Sequence, residues 1–304
     1  MIVKKYSQLQ TIILLLALGG AMPLFAQTTT LQVVTKTIKK HFNYTKGDEV
    51  NIEGERANVS IESWSKKEIS IQVELIAKNI DKKVATADLE HLKYEIKKVK
   101  NKIYLRNYIA NKTTTSNFSA KYTIYLPEDC RVYLKNHFGA ASIKNLTNNL
   151  RVNSKFSKID LINIQGLMEV TTRFGDIVGE KLNGRMTLNS RRSNITLSDI
   201  SGHYDIQAQY GMIKIFSNDE NLDLKIDAEK ANVFLYSSNP AIFGYDLTSK
   251  QGKINLPKHF DVTEVQNTQV MRQVEVRPMQ QENYHNVTIR VTFGDITVAK
   301  KPKQ

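Results

Sequence analysis

The chain has 304 residues, 43 of them Lys or Arg and 30 Asp or Glu, for a formal charge of +13. That excess of cations favours anionic partners such as acidic polysaccharide, lipid headgroups or nucleic acid. The single cysteine, Cys130, excludes an intramolecular disulfide framework.

In chain order, residues 1–26 read as a secretory signal peptide. Lys4 and Lys5 precede an apolar run from Ile12 to Leu18, and Leu24–Phe25–Ala26 supplies a small residue at the cut before Gln27. The run is short for a membrane span, and no Cys follows it to carry a lipid. The expected product is exported to the periplasm, the outer-membrane surface or the medium, with no transmembrane span in the mature chain, and export sets nucleic acid aside as a partner.

Residues 27–130 predict an N-terminal β cap. Val50–Ile52, Val59–Glu62 and Glu68–Ile76 alternate apolar with polar residues, which is the period of a half-buried strand. Trp64–Lys67 reads as a hairpin loop between two of them. Residues 81–92 lack β-branched alternation and carry Ala85, Ala87, Leu89 and Leu92, so a short helix is expected there. Strand patterning resumes at Ile96–Leu105 and Tyr122–Leu126, with a polar loop over 111–117. These strands show no common repeat, and an irregular or sandwich-like layer over the end of the next region is the expectation.

Residues 131–304 predict a β-solenoid. From Leu150 to Ile215 the chain aligns with itself in blocks of eighteen: Ile159, Ile177, Ile195 and Ile213 form one column, Ile164, Leu182 and Ile200 another, and Gly166, Gly184 and Gly202 a third. A fixed period of this size means stacked units, none of which buries its apolar face alone. Within one unit Met168, Val170, Thr172 and Phe174 alternate with Glu169, Thr171 and Arg173, so the first set points inward. By the same parity the aromatic column of Phe156 and Phe174 is an internal stack. A left-handed hexapeptide helix shares the period but needs an aliphatic residue at every sixth position, which Gln165 and Glu180 break. Past Ile215 the period loosens. Leu222–Ile226 and Val233–Leu235 fit a further rung, Asn239–Pro240 marks a turn, and residues 257–286 read as an irregular excursion. Phe293–Gly294–Asp295–Ile296 then repeats Phe174–Gly175–Asp176–Ile177.

The signal segment, the Val59–Ile69 stretch, the helical piece after it and the repeated Phe–Gly–Asp–Ile turns together resemble the exported putative-adhesin domain family of unknown function found in Bacteroidetes-type bacteria. The resemblance implies an all-β solenoid in the cell envelope or outside it, and transfers no catalytic residues. It also leaves open an accessory or sensory role beside an envelope-stress regulator.

The candidate binding site is an outward column of cations one rung apart, Lys155, Arg173 and Arg191, beside a polar strip of Asn153, Thr171 and Asn189. Neighbouring cations at that spacing repel by about 1 kcal/mol in a water-like dielectric, and a bound polyanion would relieve it. The expected ligand is an anionic polysaccharide or lipopolysaccharide, with an envelope protein as the other partner class. No cofactor or metal pattern is legible: the six histidines share no ligand spacing. A polysaccharide-active enzyme would need clustered carboxylates. Glu169 and Asp205 share an outward column but stand two rungs apart, and read as solubility charges. Asp176 and Asp295 follow turn glycines, where Asp accepts from backbone N–H groups. Trp64 is either a sugar platform or a hydrophobic plug on the cap, and the plug is the expectation.

Overall fold

The computed structural model describes residues 30–110, 113–278 and 284–302; the expected signal segment lies outside them. The elements in chain order are β1 (Gln32–Asn43), β2 (Glu49–Glu55), β3 (Ala57–Trp64), β4 (Glu68–Asn79), α1 (Lys82–Leu89), β5 (Leu92–Val99), β6 (Lys102–Ile109), β7 (Asn117–Pro127), β8 (Arg131–Leu146), β9 (Leu150–Arg173), β10 (Ile177–Arg191), β11 (Ile195–Ser237), β12 (Gly244–Lys250), β13 (Ile254–Asn255), β14 (Val262–Asn267), β15 (Met271–Val276), β16 (Asn286–Thr292) and β17 (Ile296–Lys300). Among the described residues they form one sheet, most of its pairs parallel, wound as a β-solenoid.

The rungs stack where the eighteen-residue period puts them. Ile177 faces Ile159 on one side and Ile195 on the other, and Leu182 lies between Ile164 and Ile200. All six are essentially inaccessible to water. Parallel in-register stacking lets each rung satisfy its backbone N–H and C=O groups with the rungs above and below, while the apolar files make one continuous core. Ser154, Thr172 and Ser190, at the inward end of the alternation, are buried as well.

The corners explain the Gly columns. Gly184 has φ +125°, and a Cβ there would stand 2.3 Å from Gly166 O. Gly175 needs no left-handed φ, but its Cβ would stand 2.1 Å from Ser157 O. Here glycine is required by the approach of one rung's backbone to the next. The carboxylates behind the corners act as expected. Asn194 N–H donates to Asp176 Oδ1 at 2.9 Å, and Lys253 N–H to Asp295 Oδ1 at 2.8 Å, each joining one rung to its neighbour.

The aromatic column corrects the parity argument. Phe138, Phe156 and Phe174 have φ of 58°, 53° and 58°, and are 48%, 48% and 40% exposed. Alternation predicts side only while the backbone stays extended. A residue in the left-handed region turns the chain and throws its side chain outward, so the rings stack outside the corner.

Further differences at both ends come from long-range pairing. β2 pairs in parallel with β8 and β3 does the same, with Val50 facing Val132 and Val59 facing Ala141. These N-terminal strands therefore make a rung of the same form, continued outward by β6 on β2 and β7 on β3. The sheet then turns antiparallel through β4 on β7 and β1 on β4. The expected hairpin at Trp64–Lys67 is absent: β4 pairs with β1 and β7 and not with β3. At the other end, β16 and β17 insert between β11 and the β12–β13 rung, with Ile289 between Ile226 and Leu247. The segment expected to be irregular holds an antiparallel pair, β14 with β15, and β15 extends β12. The predicted helix is present as α1, capped by Asp81 Oδ1, which accepts from Lys83 N at 2.7 Å; Ala85 and Leu89 are buried.

Candidate functional site

The outward side of β8, β9, β10, β11 and β16 is a flat face of aligned columns. Arg173 and Arg191 are direct register partners, with Gln209 next in line. Thr171, Asn189 and Gln207 form the adjoining column. Lys155 and Asn153 stand on the same two columns, opposite His137 and Lys135 of β8. The structure thus aligns the six candidate residues as the period requires. Thr171, Arg173, Asn189 and Arg191 line a shallow trough of about 450 Å³, with Gln207 and Gln209 beside them and Asp227 and Glu229 closing its far end. Asn153 and Lys155 flank the trough and do not line it.

The pairing of charges on this face is selective. Lys135 meets Glu53 at 3.1 Å, Arg151 meets Glu169 at 2.6 Å, Lys225 meets Asp205 at 3.7 Å and Arg290 meets Asp227 at 4.0 Å. Among the described residues no carboxylate lies within ion-pair distance of Lys155, Arg173 or Arg191. The acids at the two ends of their column are Glu55, 3.8 Å from His137 Nδ1, and Glu229, which takes a hydrogen bond from Gln209 Nε2 at 2.8 Å.

The carboxylates of the enzyme reading sit two rungs apart, with Thr187 in register between Glu169 and Asp205. Each faces a cation rather than the other. His203 Nδ1 and His285 Nδ1 lie 3.1 and 3.3 Å from the Asp223 carboxylate. Among the described residues no group of three or more His, Cys, Asp or Glu side chains is placed to hold a metal ion, and no helix is long and apolar enough to cross a membrane. Burial, with Asp48 nearby, pushes the Cys130 thiol up to about 12, so it is held as a neutral core group. Trp64 is half-buried, stacks on Tyr125 at 5.3 Å, has Lys66 Nζ 4.8 Å from its ring centroid and donates from Nε1 to Glu68 O at 2.9 Å, so its ring and N–H already have partners within the chain.

A second hollow, about 500 Å³, opens towards the N-terminal end between Tyr104, Tyr133, Asn51 and the charged side chains of Glu95, Lys97 and Arg106. Alternation alone does not reveal it, because it forms where β2 and β8 meet the consecutive β5–β6 pair, strands brought together only by the tertiary fold.

The match that decides the family covers residues 41–299, nearly the whole described chain. The chain belongs to the Toastrack DUF4097 family. A solved structure of a putative adhesin from Bacteroides fragilis is similar in fold, with 14% identity over 87% of this chain and 97% of that one and a TM-score of 0.52. Another of the same description, from Parabacteroides distasonis, has 10% identity over 87% of this chain and 97% of that one, with a TM-score of 0.44. A sequence search of curated proteins finds no match. Family membership accounts for the solenoid. At 14% identity the Bacteroides fragilis structure speaks to the fold alone.

Proposed function

We propose that this protein is a non-enzymatic binding module of the cell envelope or cell surface, in the manner of an adhesin, and that its rigid outward face takes an anionic glycan such as an acidic polysaccharide or lipopolysaccharide. The observation that carries this reading is the unneutralised column. Four other cations of the same face are matched to carboxylates, while Lys155, Arg173 and Arg191 are left without one beside a strip of hydroxyl and amide groups. A polyanion laid along the stack would meet one weak site per rung, and the rungs would act together because the backbone fixes their spacing. Neutral hydrogen-bonding groups at Thr171, Asn189 and Gln207 suit sugar hydroxyls between the charges.

The test is binding of an anionic polysaccharide to the Lys155→Ala/Arg173→Ala/Arg191→Ala variant. Exposed charge pairs are worth a few tenths to about 1 kcal/mol each, so loss of three predicts a roughly tenfold or greater weakening and a shallower dependence on salt. Unchanged affinity removes this face from consideration.

A further inference from the structure

The outward corner carries a line of side chains that the trough does not use. In register along the stack are Phe138, Phe156, Phe174, Arg192, Tyr210, Lys230 and Phe293, each with φ between 51° and 60°. The Phe138–Phe156 and Phe156–Phe174 ring centroids are 5.0 and 4.7 Å apart, and each pair is 3° from parallel. Arg192 then lies over Phe174 and Tyr210, at 5.3 and 5.7 Å, and Lys230 over Tyr210 and Phe293, at 5.3 and 5.9 Å.

This geometry decides what the ridge can bind. Sugars stack on the faces of aromatic rings. Here the faces of Phe156, Phe174 and Tyr210 are already covered by the neighbours above and below, so only the ring edges meet solvent. The ridge therefore presents a blade of C–H edges with cations set into it, and Lys155, Arg173 and Arg191 run alongside at the preceding position. The acids near the corners are engaged: Asp176 and Asp295 accept backbone N–H groups, and Glu229 accepts from Gln209. A two-fold contact between ridges of two copies centred on Arg192 would bring Arg191 and Arg192 against their own images.

We propose that the ridge seats on an anionic lipid surface. The ring edges enter the boundary between headgroups and acyl chains, where aromatic side chains are favoured, and the flanking cations meet lipid phosphates. The glycan reading and this one share Lys155, Arg173 and Arg191; the rings, which the glycan reading does not use, are what this proposal adds and what its variant removes.

The experiment compares the full chain with its Phe138→Asn/Phe156→Asn/Phe174→Asn variant. Asn adopts the left-handed φ of these corners readily, and a thermal melt by circular dichroism checks that the fold is retained. Binding is measured by co-sedimentation with vesicles of phosphatidylglycerol and phosphatidylcholine, and with phosphatidylcholine alone. The expected result is a preference for the anionic vesicles and a roughly tenfold or greater loss in the variant, given about 25 cal/mol per Å² of apolar edge withdrawn from water. In a separate Phe156→Trp chain, brominated lipids should quench the introduced indole beyond the quenching of Trp64 in the parent. Equal binding to neutral vesicles, unchanged binding by the Asn variant or an unquenched indole overturns the proposal. Loss of self-association in the Asn variant without loss of vesicle binding reassigns the ridge to a second copy of the chain.

Discussion

Three glycines separate the two forces that shape a corner. Gly47 has φ +96° with nothing within 4 Å of an added Cβ; Gly175 has no left-handed φ but its Cβ would lie 2.1 Å from Ser157 O; Gly184 has both, with φ +125° and a contact of 2.3 Å to Gly166 O. A non-glycine residue in a sparsely populated backbone region costs about 1–3 kcal/mol. An added methyl in a close-packed site costs about 1–3 kcal/mol more. The blocking atoms at Gly175 and Gly184 are backbone carbonyls fixed within the rung stack, so the upper half of that range applies. Ala at 47 should therefore cost about 1 kcal/mol, Ala at 175 about 2–3 kcal/mol, and Ala at 184 about 3–5 kcal/mol. For a chain of this size the last corresponds to a fall in melting temperature of roughly 5–9 °C. Urea denaturation followed by circular dichroism and by Trp64 fluorescence measures all three, and coincidence of the two probes checks that one transition is being compared. If Gly184→Ala costs no more than Gly47→Ala, the rungs do not approach as closely as described, and the account of the corners fails.

Three other outcomes follow from the site geometry. Asp176→Ala removes the acceptor for Asn194 N–H and should cost about 1–2 kcal/mol, seen as a lower denaturation midpoint, with Asp176→Asn restoring part of it. The Asp219 carboxyl is buried enough to raise its pKa, but hydrogen bonds from Ser237 and Ser238 outweigh burial and hold it below its ordinary value. Its contribution is therefore complete above the unfolded carboxylate pKa of about 4 and is lost as the pH falls through the lower folded value. Asp219→Asn should flatten that part of the acid limb of the stability–pH curve. Cys130, with its thiol pushed up to about 12, should react with a disulfide reagent at pH 8 only on unfolding; prompt reaction of the native protein would contradict its burial.

The core files, the Gly columns, the Asp acceptors and the cation column could all be read in the amino-acid order. Each depends on one rung lying over the next, and an eighteen-residue period states that directly. The aromatic column could be read as a column but not as to side. Its parity holds for extended backbone, and Phe138, Phe156 and Phe174 break extension at the residue in question. The N-terminal rung was hidden for another reason. Glu49–Glu55 faces Arg131–His137, some eighty residues along the chain, with β4, α1 and the strands to β7 between them, so no short period joins the two. Phe293–Gly294–Asp295–Ile296 carries the corner signature, yet that signature fits any rung and does not name its neighbours.

Local order therefore determined the form of a rung: which residues alternate, which turn, and which small residues let carbonyls pass. Tertiary structure decided the sequence of rungs in space, including the entry of β16 and β17 between β11 and the β12–β13 rung, and the direction of the rings at the corner. The physical reason is that a rung's hydrogen bonds and apolar files are nearly the same for every neighbour. The choice of neighbour rests on closure of the long connecting segments, and the facing of a corner residue rests on a single backbone angle.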